Sequence, residues 1–210
     1  YSGKHTITLS TWIVDFGTRM SEADASMFEA PFDHVTREVK AKRVTNARES
    51  RAKYWWRHGD PQAAMRGAIS RLSRYIVTPE TSKHRIFVFA DRSVLPDCKL
   101  IVIAREDHVT FGLLQSHFHE AWALAAGSMH GVGNDPRYTP KTCFETFPFP
   151  EGLTPNLSAS TYTNDPHAQR IAEAARKLVE ARDRWLNPPE WTERAPEVVP
   201  GYPDRIVAKV

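Results

Sequence analysis

Apolar residues recur at helical spacing in the middle of the chain. Leu114, Phe118, Ala121, Trp122 and Ala125 fall on one stripe, which predicts a helix with one buried face. The loop from Gly131 to Pro140 follows, with two Gly and two Pro among polar residues, the composition of a shaped turn. Phe144, Phe147 and Phe149 then interleave with Pro148 and Pro150. Proline fixes φ and removes a donor, so this segment is expected to be extended and pressed on a core. A buried helix and a rigid strap would hold a polar loop between them.

Elsewhere the period changes. Thr6 to Asp15 alternates and is β-branched, the pattern of a strand. Tyr75–Thr78, His84–Ala90 and Lys99–Ala104 predict three more, with a further one around Val109 to Leu113. The turns between them are too short for crossover helices, so the sheet should be antiparallel. Helices are predicted from Glu22 to Ala30 behind Ser21, from Phe32 to Lys42, from Asn46 to Arg57, and after Asp60-Pro61 with Met65, Ile69 and Leu72 inward. Residues 151–165 are rich in Ser, Thr, Asn and Pro and read as a linker. Asp165-Pro166 then opens a long amphipathic helix, His167 to Leu186. The fold class is α+β, a mostly antiparallel sheet flanked by helices, with N-terminal helices and a long C-terminal one.

Composition narrows the classes. No apolar run among the 210 residues approaches the ~20 of a membrane span, so no membrane is expected. The two cysteines, Cys98 and Cys143, have no second pair, which argues against zinc and for a reducing, cytoplasmic setting. The chain opens on Tyr1 and ends in a Pro-rich polar stretch, as a piece of a longer protein would.

Charge changes the picture more. The net charge is +3, but residues 37–85 hold thirteen Lys/Arg against four Asp/Glu. That local excess of +9 leaves −6 for the remainder, and a basic block of this kind suits a polyanion. Arg66, Arg71, Arg74, Lys83, His84 and Arg85 are the candidate phosphate contacts. Ser73, Thr78, Thr81 and Ser82 could add neutral ones. In the Gly133–Tyr138 loop, Asn134, Asp135 and Arg137 carry the donors and acceptors that base edges demand, with Tyr138 beside them. A plain turn with Arg137 in a salt bridge is the alternative for that loop.

Catalytic chemistry is not evident. Asn187-Pro188-Pro189 is followed by Glu190, with Trp191 one place late for the Asn-Pro-Pro-aromatic motif of amino-group DNA methyltransferases. It follows a helix and reads as a helix stop. Phe16-Gly17 lacks the spaced glycines of a cofactor loop. His117 and His119 lie two apart, a spacing that diverges on a helix, so partly buried residues making structural hydrogen bonds are the favoured reading. A metal-dependent hydrolase using them with Asp107 is one alternative function. Another is an interaction domain that docks a partner through Trp55 and Trp56.

Longer strings carry a resemblance. Trp12-Ile-Val-Asp-Phe-Gly17, Met20-Ser-Glu-Ala-Asp-Ala25, Tyr75-Ile-Val-Thr-Pro79, Ser82-Lys-His-Arg85, His119-Glu-Ala-Trp122, Asp135-Pro-Arg-Tyr-Thr-Pro140 and Thr142-Cys-Phe-Glu-Thr-Phe-Pro-Phe-Pro150 occur in order. Together they resemble the target-recognition region of the MmeI-like (Type IIL) DNA methyltransferases and restriction–modification enzymes. The resemblance implies sequence-specific binding of double-stranded DNA by part of an adenine-N6 methyltransferase. S-adenosyl-methionine would belong to an upstream methyltransferase domain, and no cofactor to this segment. It further implies that residues 1–20 leave that domain, 21–150 recognise the target, 151–166 link, and 167–210 begin a helical C-terminal region. The positions setting base specificity would be Gly133 and Asp135.

Overall fold

A computed structural model describes residues 12–131 and 135–209. Most of the strand expected from Thr6 to Asp15 lies outside them, as do Gly133 and Asn134; residues 12–15 are not in a strand. The described chain divides into two compact units after Gly67.

The first unit is helical. α1 (Glu22–Ser26) starts at Ser21, whose Oγ accepts the Asp24 N–H at 3.0 Å while its hydroxyl donates to the Asp24 carboxylate at 2.7 Å. This is a capping box with Asp in the reaching-back position. α2 (Glu29–Val35) continues through a π turn into α3 (Ala41–Arg43). α4 (Glu49–Lys53) is shorter than expected, because the chain turns at Tyr54 to bury the next two residues. Trp55 and Trp56 are 4% and 7% exposed. They pack with Phe16, Ala25 and Val35, and Trp56 Nε1 donates to the Met20 carbonyl at 3.1 Å. They are this unit's core, so they offer no docking surface.

α5 (Ala63–Ile69) leads into the second unit. Its sheet has the order β2-β1-β3, all antiparallel: β1 (Arg74–Pro79), β2 (Val88–Asp91) and β3 (Leu100–Ile103). Ile76 pairs with Phe89 on one side and Ile103 on the other. Tyr75, Ile76, Val77 and Thr78 are all buried, so the central strand is covered on both faces.

β2 begins four residues later than the pattern predicts. Side chains have taken the backbone groups that would have paired. Thr78 Oγ1 donates to the Ile86 carbonyl, Phe87 N donates to Gln115 Oε1, and Arg182 Nη1 donates to the Phe87 carbonyl. The strand expected around Val109 is instead α6 (His108–Leu114), capped by Asp107. It is buried nearly all round, so its sequence shows no amphipathic period.

α7 (His117–Ala126) starts at the Ser116 cap and buries His119 and Ala123. Phe118 is 81% exposed, so the predicted apolar stripe is not the buried face. Leu114 belongs to a different helix, which breaks the apparent period. A hairpin follows, β4 (Ser128–His130) with β5 (Asp135–Arg137). The aromatic strap is not fully extended: residues 140–144 form a π turn. The Phe147 ring then stands edge-on to His119 and Phe149.

Residues 151–165 are packed rather than a free linker. Leu153 and Tyr162 are buried, and residues 159–162 form a 3-10 turn. α8 (Pro166–Leu186) begins at Asp165, which accepts from His167 N and Ala168 N, and packs against α6. A Cβ on Gly112 would stand 2.8 Å from Ile171 Cγ2, so the two helices approach where a side chain is missing. The polar tail carries a hairpin the sequence did not announce, β6 (Thr192–Ala195) with β7 (Arg205–Ala208).

Candidate nucleic-acid interface

The carboxyl end of β1 meets the base of the β4–β5 hairpin. Tyr138 N donates to the Glu80 carbonyl at 2.7 Å, and Ser82 N to the Pro136 carbonyl at 3.2 Å. Thr81 and Arg137 form a β-bridge. The two segments therefore pair as short strands do, although proline at 136 removes one donor.

A buried layer lies beneath. Arg85 is 8% exposed and donates to Thr78 Oγ1 at 3.0 Å, to the Pro136 carbonyl at 3.2 Å, and to the Pro79 carbonyl. Tyr138 is 1% exposed, and its hydroxyl shares a 2.9 Å hydrogen bond with His119 Nε2. The Arg85 guanidinium lies 5.0 Å from the Tyr138 ring centre, within cation–π range. Phe87 meets that ring edge-on at 5.6 Å.

Burial sets the protonation of this layer. It depresses His119 to about 4, with the charge of Arg85 adding to the shift, so the imidazole is neutral near pH 7. It pushes the Tyr138 hydroxyl up, keeping it a phenol. It lowers Arg85, though an arginine stays charged.

The outer layer is polar. Arg137 Nε donates to Glu80 Oε1 at 2.8 Å, and a second donor from the same guanidinium reaches the same oxygen. This is the salt bridge left open for the loop. Lys83 and His84 are exposed next to it, as are His130 and Gly131 on the hairpin.

The expected phosphate set is not gathered in one place. Lys83, His84 and Arg137 lie at the carboxyl end of β1. Arg71 is exposed just before the amino end, and Arg74 opens that strand, roughly 17 Å away at strand rise. Arg74 already stacks on Phe89, 3.7 Å from the ring centre, and donates to the Glu106 carbonyl. Arg66 belongs to the first unit and pairs with Asp15 at 2.6 Å. Arg85 and Tyr138 point inward, so their side chains hold backbone and each other rather than facing solvent. Asp135 is half-buried and opens β5, paired with His130.

Two contributors escaped the sequence reading. Glu80 is one of the four acids in the basic block, and it pairs with Arg137. His119 is expected to make a structural hydrogen bond rather than bind a metal, but its partner, Tyr138, is not legible in the sequence. A buried histidine 19 residues from its tyrosine leaves no local signal.

His117 is exposed on the outside of α7, whereas His119 is fully enclosed. Asp107 is occupied at the α6 cap and by Arg105. No group of three His, Cys, Asp or Glu able to hold a metal occurs among the described residues. No described helix is long and apolar enough to cross a membrane.

Comparison with known proteins adds one finding. The family model described as "MmeI, target recognition domain" matches residues 19–151. No curated protein and no solved structure matches.

Proposed function

The chain belongs to the MmeI target recognition domain family, and on that premise we propose how it reads DNA. Recognition of a DNA sequence within a restriction–modification enzyme is the family's role. Our reading is that the β4–β5 hairpin enters the major groove of duplex DNA. Asp135 and Arg137 present groups that meet base edges, and the expected positions Gly133 and Asn134 fall between the two strands in sequence. Lys83 and His84 lie alongside to neutralise phosphates, and Arg71 supplies a second, separate phosphate contact.

The observation that carries this is the exposed hairpin fastened by its base to a sheet, with solvent-facing cations beside it. Base reading needs groups held in place, and attraction to phosphate needs exposed charge; the paired hairpin and Lys83 bring both to one end of β1. In the free state Glu80 holds Arg137. On DNA the guanidinium would exchange that carboxylate for a base or a phosphate.

We place the chemistry elsewhere in the same polypeptide. An upstream domain would transfer the methyl group of S-adenosyl-methionine to adenine N6, with residues 1–20 leading out of it. Residues 21–150 would then form the recognition domain, followed by a connection and a helical region from 167. The residues here do not fit an adenosyl-methionine loop. Gly17 follows no strand among the described residues, and Asp15 is engaged by the Gly17 N–H and by Arg66.

Selection from a duplex library with a randomised centre tests the reading. The wild-type chain should enrich a defined sequence, with affinity falling steeply in salt. Binding without enrichment, or no binding at low salt, would overturn it.

A further inference from the structure

The geometry points to Arg85 and Tyr138 as positioning residues that aim the β4–β5 hairpin, so that sequence discrimination depends on two side chains that never touch DNA. The inference rests on the reading of that hairpin as the base reader.

Three observations support it. Arg85 reaches β1 and β5 at once, through Thr78 and the Pro79 carbonyl on one side and the Pro136 carbonyl on the other. Tyr138, the residue directly after β5, ties that strand to α7 through His119. Arg85 and Tyr138 also lie against each other. The hairpin is therefore fixed to two elements of the sheet–helix framework by buried side chains, Arg85 on β1 and Tyr138 on α7.

Gly127, at the joint between α7 and β4, adds to these three. A Cβ there would stand 2.6 Å from the Ala123 carbonyl oxygen and 2.8 Å from the Arg137 carbonyl oxygen. The hairpin thus returns against the end of α7 with no room for a methyl group.

Readout at a base edge is intolerant of displacement, whereas attraction to phosphate is not. Loosening the buried fastening should therefore separate the two. Tyr138→Phe removes the hydroxyl that meets His119 and keeps the ring. Arg85→Lys keeps the charge and cannot span three acceptors in one plane. Gly127→Ala moves the hairpin base without altering either residue.

The test is library selection followed by titration of the enriched duplex and of random duplex, with thermal unfolding of each variant. For Tyr138→Phe and Arg85→Lys, the ratio of enriched to random binding should fall about tenfold, the worth of one good base contact. The salt slope on random duplex should stay as in wild type. Gly127→Ala should lower the same ratio through steric displacement alone, and it keeps the inference testable should the other two unfold. Folded variants that keep the wild-type ratio would overturn the inference and leave the hairpin reading intact. A wild-type chain that enriches no sequence would remove the hairpin reading, and this inference with it.

Discussion

Two arginines organise the second unit, and they are held in opposite ways. Arg105 pairs with a carboxylate: its guanidinium lies 2.8 Å from Asp107 and also donates to Tyr162 Oη and to the carbonyls of Pro155 and Leu157. Asp107 meanwhile caps α6 through Thr110 N at 2.8 Å. Arg85 also has a tyrosine and backbone carbonyls about it, but it meets the Tyr138 ring rather than a hydroxyl, and its hydrogen-bond partners include no carboxylate. A buried cation with neutral acceptors alone is stabilised less than one with an anion. Arg105 ties residues 151–165 onto the sheet and strengthens the fold. Arg85 sits at the base of the hairpin, where orientation counts for more than stability.

The sharpest way to break this contrast is to remove the anion. Asp107→Ala leaves the half-buried Arg105 without its charge partner and uncaps α6. We expect a loss of about 4 kcal/mol in urea unfolding, the low end for breaking a buried pair from one side together with about 1 kcal/mol for the lost cap. A loss near that of an ordinary surface substitution would mean that the carbonyls suffice for Arg105 too, and the two sites would be alike.

Acid should separate the sites next. Burial holds His119 down to about 4 in the folded state against an ordinary 6.5, so the unfolded chain takes up the proton first. Stability from this group is complete above pH 6.5 and falls as pH drops toward 4, by roughly 3 kcal/mol at full development. At Asp107 burial opposes ionisation, but the Thr110 N–H and Arg105 prevail and hold the carboxyl below its ordinary 3.8. Its contribution is present above pH 3.8 and lost only below it. Amide exchange at the hairpin base should therefore accelerate between pH 6.5 and 4, after correction for intrinsic rates, while residues 151–165 stay protected. In His119→Phe the loss of global stability across that window should flatten. An unchanged acid slope would show that His119 does not titrate with unfolding.

Arg85→Met comes third. It leaves the Pro79 and Pro136 carbonyls without this donor, while the Thr78 hydroxyl keeps its bond to Ile86. We expect about 2 kcal/mol of destabilisation, the desolvation cost of a buried acceptor left unmet. Faster exchange should be confined to the hairpin. Uniform loosening of the whole sheet would make Arg85 a general core residue like Arg105.

Why one of these sites was readable in the sequence and the other was not has a physical cause. Local chemistry was legible: Ser21 with Asp24 announced α1, Asp165-Pro166 announced α8, and the β-branched run at Tyr75 announced β1. Each signal lies within a few residues of what it sets. α6 was lost because Val109, Thr110 and Phe111 favour strand, and burial on all sides erased the helical period; the Asp107 cap decided it. The start of β2 was lost to Gln115 and Arg182, 28 and 95 residues from Phe87. In the candidate interface Lys83 and His84 are legible from the basic block, and Arg137 from the polar loop. The inward turn of Arg85 and Tyr138 was not, since it depends on His119 and Pro136 arriving from elsewhere in the chain.

The smallest effect concerns the exposed side of the Arg85 site. Lys83 is two residues from Arg85 and faces solvent. If the buried residues aim and the exposed ones attract, Lys83→Ala should leave folding within about 0.5 kcal/mol of wild type, as surface substitutions do. It should weaken binding to every duplex by a similar factor. The slope of log affinity against log salt should drop by about 1, the value for one phosphate contact released. The ratio of enriched to random binding should not move. That pattern is the inverse of the one expected for Tyr138→Phe, where the ratio falls and the slope holds. A change in preference on Lys83→Ala would make this lysine a base reader, and attraction and aim would then not divide between exposed and buried residues.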